Sequence, residues 1–174
     1  CRPATTDHRV IQIMEEEVRR GETKVADGAD AIVELKWKQL AEHGQLDAAV
    51  IEYVRFRDVV TFQELAEDFA TYSETKGEYG LVLRIDTRIV VWTRMSQRLA
   101  DIIAGYVEGK RLYLHPATVE NYTGGWHPAL AVLTSVTDDK LARPHWYPMT
   151  LRMMPPAEGS RKFSRLARIK LGKG

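Results

Sequence analysis

Hydrophobic positions recur at helical spacing through the first part of the chain and shorten to strand-like runs later. Val10, Ile11, Met14 and Val18 share one face of a predicted helix near residues 7–20, capped by Asp7 and closed by Gly21, with Glu15, Glu16 and Glu17 as its solvated side. Val33, Trp37, Leu40 and Ala41 predict a second helix, capped by Asp27 or Asp30 and ended by Gly44. A third starts near Asp47 and ends near Asp58, with Val50, Ile51 and Val54 turned inward. Leu46 and Ile51 stand at the spacing of a hydrophobic staple around its start.

The clearest local signal is Thr61-Phe62-Gln63-Glu64. The Thr61 hydroxyl can accept from the N–H three residues on, and the Glu64 carboxylate can reach back to the N–H of Thr61, a capping box. Phe62, Leu65, Ala66 and Phe69 then form one apolar face. After a polar loop at 73–80, the β-branched run Leu81 to Trp92 predicts one long strand or a hairpin turning at Asp86-Thr87. Ser96 caps a fifth helix, with Leu99, Ile102, Ile103 and Tyr106 on one face and Gly109 at its end. Leu112 to His115 is a strand stopped by Pro116. Thr118–Tyr122 and Ala129–Val136 are predicted to pair across a turn at Thr123-Gly124-Gly125. Pro148 to Pro156 is predicted as an edge strand followed by a break.

In that order, residues 47–136, about half the chain, resemble a winged helix-turn-helix domain, with the 118–136 hairpin as the wing. In DNA-binding members of that fold the helix before the wing commonly enters the major groove. The resemblance assigns that place to the helix Ser96–Glu108, with Arg94, Ser96, Gln97 and Arg98 at its start and Lys110 and Arg111 just after it. One departure is plain: residues 73–95 stand where the family has a tight turn. Winged helices also serve as protein–protein modules.

Charge adds a second candidate surface. The chain holds 25 Lys and Arg against 24 Asp and Glu, yet nothing acidic lies beyond residue 159, where Arg161, Lys162, Arg165, Arg168, Lys170 and Lys173 cluster. A mildly acidic body thus ends in a basic tail of the kind that binds polyanions or is simply solvated. Phe163, Leu166, Ala167 and Ile169 partly repeat at helical spacing, so a basic amphipathic helix is one form the tail can take. The 44% hydrophobic and 28% charged content is that of a globular chain able to bury a core. No apolar run approaches the roughly 20 residues of a membrane span.

Other chemistry is sparse. Tyr122, Trp126, His127, His145, Trp146 and Tyr147, with Met149, Met153 and Met154, form either packing or an adaptable binding surface, and packing is the commoner use of such residues. His115, His127 and His145 with Glu120, Asp138 and Asp139 lack the close ligand spacing of a metal site. No nucleophile elbow or phosphate-cradling glycine loop is present. Cys1 reads as an introduced or fragment start, since Pro3 and a helix cap follow closely, rather than as an acylated cysteine or an N-terminal nucleophile. A single cysteine forms no disulfide within the chain and fits the cytoplasm.

The expectation is an α+β fold: a helical arm at 1–44, a winged-helix-like domain at 45–156 and a basic tail at 157–174. The expected function is non-enzymatic DNA binding, of transcription-regulator type, without metal or cofactor. The alternative is a module that binds another protein or a second copy of itself through the arm and the aromatic–Met surface.

Overall fold

The computed structural model describes residues 25–122, 124–157 and 160–171; Cys1 and the helix expected at 7–20 lie outside them. The architecture is α+β, with four α-helices and two sheets among the described residues. Helix α1 (Val25–Glu42) begins earlier than Asp27 or Asp30 as caps would place it. It turns at Gly44, whose φ of 75° suits glycine, and packs on α2 (Leu46–Arg57).

Leu46 is the first residue of α2, not the residue before its cap, so the expected staple does not form. Gln45 occupies the cap with no side-chain bond, while Leu46, Ala49, Val50 and Val54 are buried. The arm shares the core of the rest of the protein. Trp37 of α1 is 4.9 Å from the ring of Tyr53 and 5.1 Å from that of Phe69, both fully buried aromatics of the following elements.

Strand β1 (Val60–Thr61) leads into α3 (Phe62–Phe69) through the expected capping box. Glu64 N donates to Thr61 Oγ1 at 3.1 Å and Thr61 N to Glu64 Oε2 at 3.0 Å. Strands β2 (Tyr79–Leu83) and β3 (Asp86–Met95) form an antiparallel hairpin. Its turn is at Arg84-Ile85, two residues earlier than expected, because Asp86 belongs to the ladder and opposes Leu83. The Asp86 carboxylate instead accepts from Arg88 N and Leu141 N, both at 3.0 Å.

Helix α4 (Gln97–Glu108) follows β3 directly, and β4 (Tyr113–Pro116) follows α4. The remaining strands are β5 (Ala131–Val132), β6 (His145–Trp146), β7 (Met149–Arg152) and β8 (Leu166–Lys170). One sheet is antiparallel with order β1-β7-β4, so β7 lies at its centre and not at an edge. Leu151 opposes Val60 on one side and Leu114 on the other. The second sheet has order β5-β6-β3-β2-β8, parallel across β5-β6-β3 and antiparallel across β3-β2-β8.

Two larger expectations are also overturned. The 118–136 hairpin does not form: Val119–Tyr122 is a 3₁₀ turn and β5 pairs with β6. Aromatic packing draws this segment inward. The Tyr122 ring stacks 5.3 Å from Trp92 and lies edge-on 5.1 Å from Trp146. Its hydroxyl donates to Met149 O at 2.5 Å and accepts from Phe62 N at 3.4 Å, joining β7 to the start of α3.

The second correction concerns the basic tail: Ser160–Phe163 is a 3₁₀ turn and Leu166–Lys170 is a strand of the sheet, not part of an amphipathic helix. Residues 166–170 pair in register with the whole of β2, from Leu83↔Leu166 to Tyr79↔Lys170. Leu166 is buried, and the charged Arg168 and Lys170 lie on the strand that edges the sheet, a common guard against unwanted pairing.

Candidate functional site

Helix α4 is built as expected at its start. The Ser96 hydroxyl accepts from Leu99 N at 3.3 Å, so this buried residue is a cap and offers little to a ligand. Leu99, Ala100, Ile103 and Val107 face the core. Gln97, Arg98, Asp101, Gly105 and Glu108 remain on the surface. Gly109 is the C-cap as expected, with φ −78°, and the left-handed residue after it is Lys110, with φ 57°.

The segment between α3 and α4 has its two ends side by side. Thr75 is buried, and its hydroxyl donates to Ala66 O in α3 at 2.8 Å. Its own carbonyl accepts from Ser96 N, the α4 cap, at 2.9 Å. Gly77 N donates to Arg94 O at 3.3 Å. A Cβ on Gly77 would stand 2.8 Å from Met95 O, so only glycine fits this approach. The β2–β3 hairpin therefore leaves and rejoins the helix pair at one point.

The acids on α4 are not bare. Asp101 pairs with Arg168 of β8 at 2.7 Å, and Glu108 pairs with Arg84 of the hairpin turn at 2.8 Å. Arg98 donates to Gly44 O at 2.8 Å across the α1–α2 turn. The Arg111 guanidinium lies 5.1 Å from the Tyr106 ring. Thus Arg84, Arg98, Arg111 and Arg168 all anchor to α4 or its neighbours. Arg84 stood outside the expected set because its sequence position on the hairpin gives no hint of α4.

Other expected residues scatter. Lys162 reaches Asp138 at 3.4 Å and Lys170 reaches Glu78 at 3.7 Å. Arg165 is exposed and its carbonyl accepts from Arg84 N at 3.0 Å. Lys110 lines a small cavity of about 300 Å³ beside Phe163 and Pro156. The side chain of Arg161 lies outside the described residues.

Arg94 turns away from this group toward Trp126. It adopts the left-handed φ of 54° and places its guanidinium 4.8 Å from the Trp126 ring. A groove of about 670 Å³ opens beside the pair, with Lys76 on its rim. Trp126 is 39% exposed, whereas Trp146 and Tyr147 of the expected aromatic surface are buried and Met149 is fully so. The sequence reading grouped Trp126 with these core aromatics and overlooked Lys76.

The histidines are spread among backbone partners. His115 donates to Met154 O at 2.7 Å, His145 to Arg143 O at 2.8 Å and His127 to Pro128 O at 3.2 Å. No group of three potential metal ligands occurs among the described residues, and no described helix is long and apolar enough to cross a membrane.

The chain matches no protein-family model, no curated protein and no solved structure.

Proposed function

We propose that the protein is a non-enzymatic DNA-binding protein of regulator type, built on a winged-helix plan. The observation that carries this reading is the order α2, β1, α3, α4, β4, β7 with β7 central in the sheet β1-β7-β4. The adjoining ends of the β2–β3 insertion support it, since Thr75 bonds both Ala66 O of α3 and Ser96 N at the α4 cap. In this plan α4 is the helix that enters the major groove. The wing is the long connection from β4 to β7 in place of the 118–136 hairpin.

The charge distribution also favours it. Asp101 and Glu108, which alone would repel phosphates, each meet an arginine. Arg98, Lys110 and Arg111 then leave the face cationic, and Gln97 stands at the end where base contacts are expected. Arg94 is not in this set, because its guanidinium is stacked on Trp126.

The test is fluorescence anisotropy of a labelled duplex titrated with salt, for the native chain and for Arg98→Ala with Arg111→Ala. The expected result is a linear fall of log affinity with log salt, shallower by about 0.9 for each phosphate contact removed. An unchanged slope in the double variant, with its circular dichroism intact, refutes α4 as the contact face. Deleting the basic segment is a poor test, because it removes β8 and the buried Leu166 as well as charge.

A second reading has its own observation. Ile32 and Leu35 on α1 are 64% and 53% exposed. An apolar pair on the arm suits a protein partner or a second copy of the chain, bound with little dependence on salt.

A further inference from the structure

We infer that the groove beside Arg94 and Trp126 is a binding site for a small amphipathic anion: a flat or branched apolar body carrying one carboxylate or phosphate. Its floor is the outer face of the five-stranded sheet, with Val90 of β3 and Ile169 of β8, and its far wall is Pro128 and Leu130. Its volume of about 670 Å³ falls in the roughly 300–1,000 Å³ range of ligand pockets. Such sites are mostly apolar with a few placed polar groups, and this one has that make-up.

Charge complementarity selects an anion. Lys76 and Arg94 line the groove, and neither has a carboxylate partner among the described residues. The acid in the lining, Glu78, is already paired with Lys170 at 3.7 Å. The Arg94 guanidinium sits over the Trp126 ring, 4.8 Å from its centroid, and carries five N–H donors in a planar fork. That fork matches a carboxylate or phosphate in two parallel bonds.

The Arg94 side chain is also held in place before any ligand arrives. A left-handed φ is strained for a non-glycine residue, and such strain persists where the surroundings enforce it. Here the Arg94 carbonyl is tied to Gly77 N and the ring that receives its guanidinium is set by the turn before it. Gly124 takes a φ of 78°, which glycine accommodates, and Gly125 lies against the end of the Gln63 side chain. The two glycines thus let Trp126 approach α3 closely, with its ring edge-on to Trp92 at 5.3 Å. A second recess of about 200 Å³, lined by Gln63 and Glu67, shares Lys76, Arg94 and Trp126 with the groove. The half-exposed indole can therefore offer a face to a flat ligand.

A nucleic-acid strand is the poorer fit, since one exposed ring and two cations provide no track of successive stacking and phosphate positions. The inference is independent of duplex binding by α4.

The probes are 2-naphthoate, 2-naphthyl phosphate and the neutral 2-naphthalenemethanol, added to the full chain and followed by the indole N–H signals in two-dimensional NMR. Trp126→Phe identifies the Trp126 signal. The expected result is saturable movement of that signal with either anion, at least tenfold weaker binding of the neutral alcohol, and at least tenfold loss in Arg94→Gln. Lys76→Gln, on an exposed loop, should weaken the anions with no change in Tm. Tighter binding of one anion over the other identifies the acidic group the site prefers. Equal binding of the alcohol and the anions, or no movement of the Trp126 signal up to millimolar probe, overturns the proposal.

Discussion

Replacing Tyr122 by Phe removes one oxygen from the junction of the two sheets and should be felt in both the size and the pH dependence of stability. Tyr122 is 2% exposed, and its hydroxyl is placed between Met149 O at 2.5 Å and Phe62 N at 3.4 Å. The ring contacts with Trp92 and Trp146 survive the substitution, so the cost is polar. A buried carbonyl that loses its donor costs about 1–3 kcal/mol. Chemical denaturation at pH 7 should show that loss as a shift in midpoint with an unchanged slope.

The pH dependence of the same residue sharpens the test. Burial pushes the Tyr122 phenol well above its ordinary value of 10.0, because the phenolate would lose its water. Below pH 10 the hydroxyl is neutral in both folded and unfolded chains and its stabilisation is complete. Above pH 10 the unfolded chain gives up the proton and the folded one keeps it, so stability falls by about 1.4 kcal/mol per pH unit. Tyr53 is shifted upward too, first by burial and then by donating to Asp68, and contributes a similar slope. Tyr122→Phe should therefore halve, not abolish, the alkaline loss that these two residues produce. A midpoint shift equivalent to less than about 0.5 kcal/mol, with the alkaline slope unchanged, would show that the hydroxyl is not the buried link between β7 and α3.

Two further outcomes follow from local geometry. Thr61→Ala should cost about 1 kcal/mol by thermal denaturation, since it removes the acceptor for Glu64 N at 3.1 Å; no change in Tm would mean that the cap is idle. Gly105→Ala and Gly77→Ala should move stability in opposite directions. At Gly105, inside α4, a Cβ meets nothing within 4 Å, and alanine should stabilise by about 0.5–1 kcal/mol. At Gly77 the Cβ would lie 2.8 Å from Met95 O and 2.9 Å from Ser96 Cα, both backbone, and about 1–3 kcal/mol should be lost. Equal effects at the two positions in parallel melts would contradict this account of the α3–α4 junction.

What the sequence reveals of this fold divides by the distance over which each feature is decided. The capping box spans Thr61 to Glu64 and is correctly legible, because both partners lie within one turn. The cap and inner face of α4 are legible for the same reason, although Ala100 and Val107 are buried while Ile102 and Tyr106 are only half so. Strand β8 is not legible. Leu166 to Lys170 has little alternation, and its state is fixed by a ladder to β2, far back in the chain. The wing hairpin fails for a related reason. Gly124-Gly125 does read as a turn, but the apolar residues around it have Trp92 and Gln63 as partners, not each other. Of the candidate site residues, Arg168 gains its place at α4 only through a tertiary contact that spacing does not encode.

The pairing of Asp101 with Arg168 and of Glu108 with Arg84 decides how α4 is to be viewed. Each pair is partly exposed: Asp101 and Arg168 side chains are 54% and 31% accessible, and Glu108 and Arg84 are 37% and 50%. Ion pairs in that setting contribute roughly 0–1 kcal/mol, so they do not hold β8 or the hairpin in place. The backbone ladder and the buried Leu166 do that. The effect of the pairs lies in the field that α4 presents. An isolated carboxylate facing a phosphate raises the free energy of approach, whereas a carboxylate already matched to a guanidinium leaves the neighbouring cations to set the sign of the potential. The β2–β3 hairpin and β8 bring the cations that offset the acids of α4, Arg84 against Glu108 and Arg168 against Asp101. On the proposed reading, the long segment before α4 thus supplies, through Arg84, the cation that offsets Glu108, one of the two acids that count against a nucleic-acid face in the sequence.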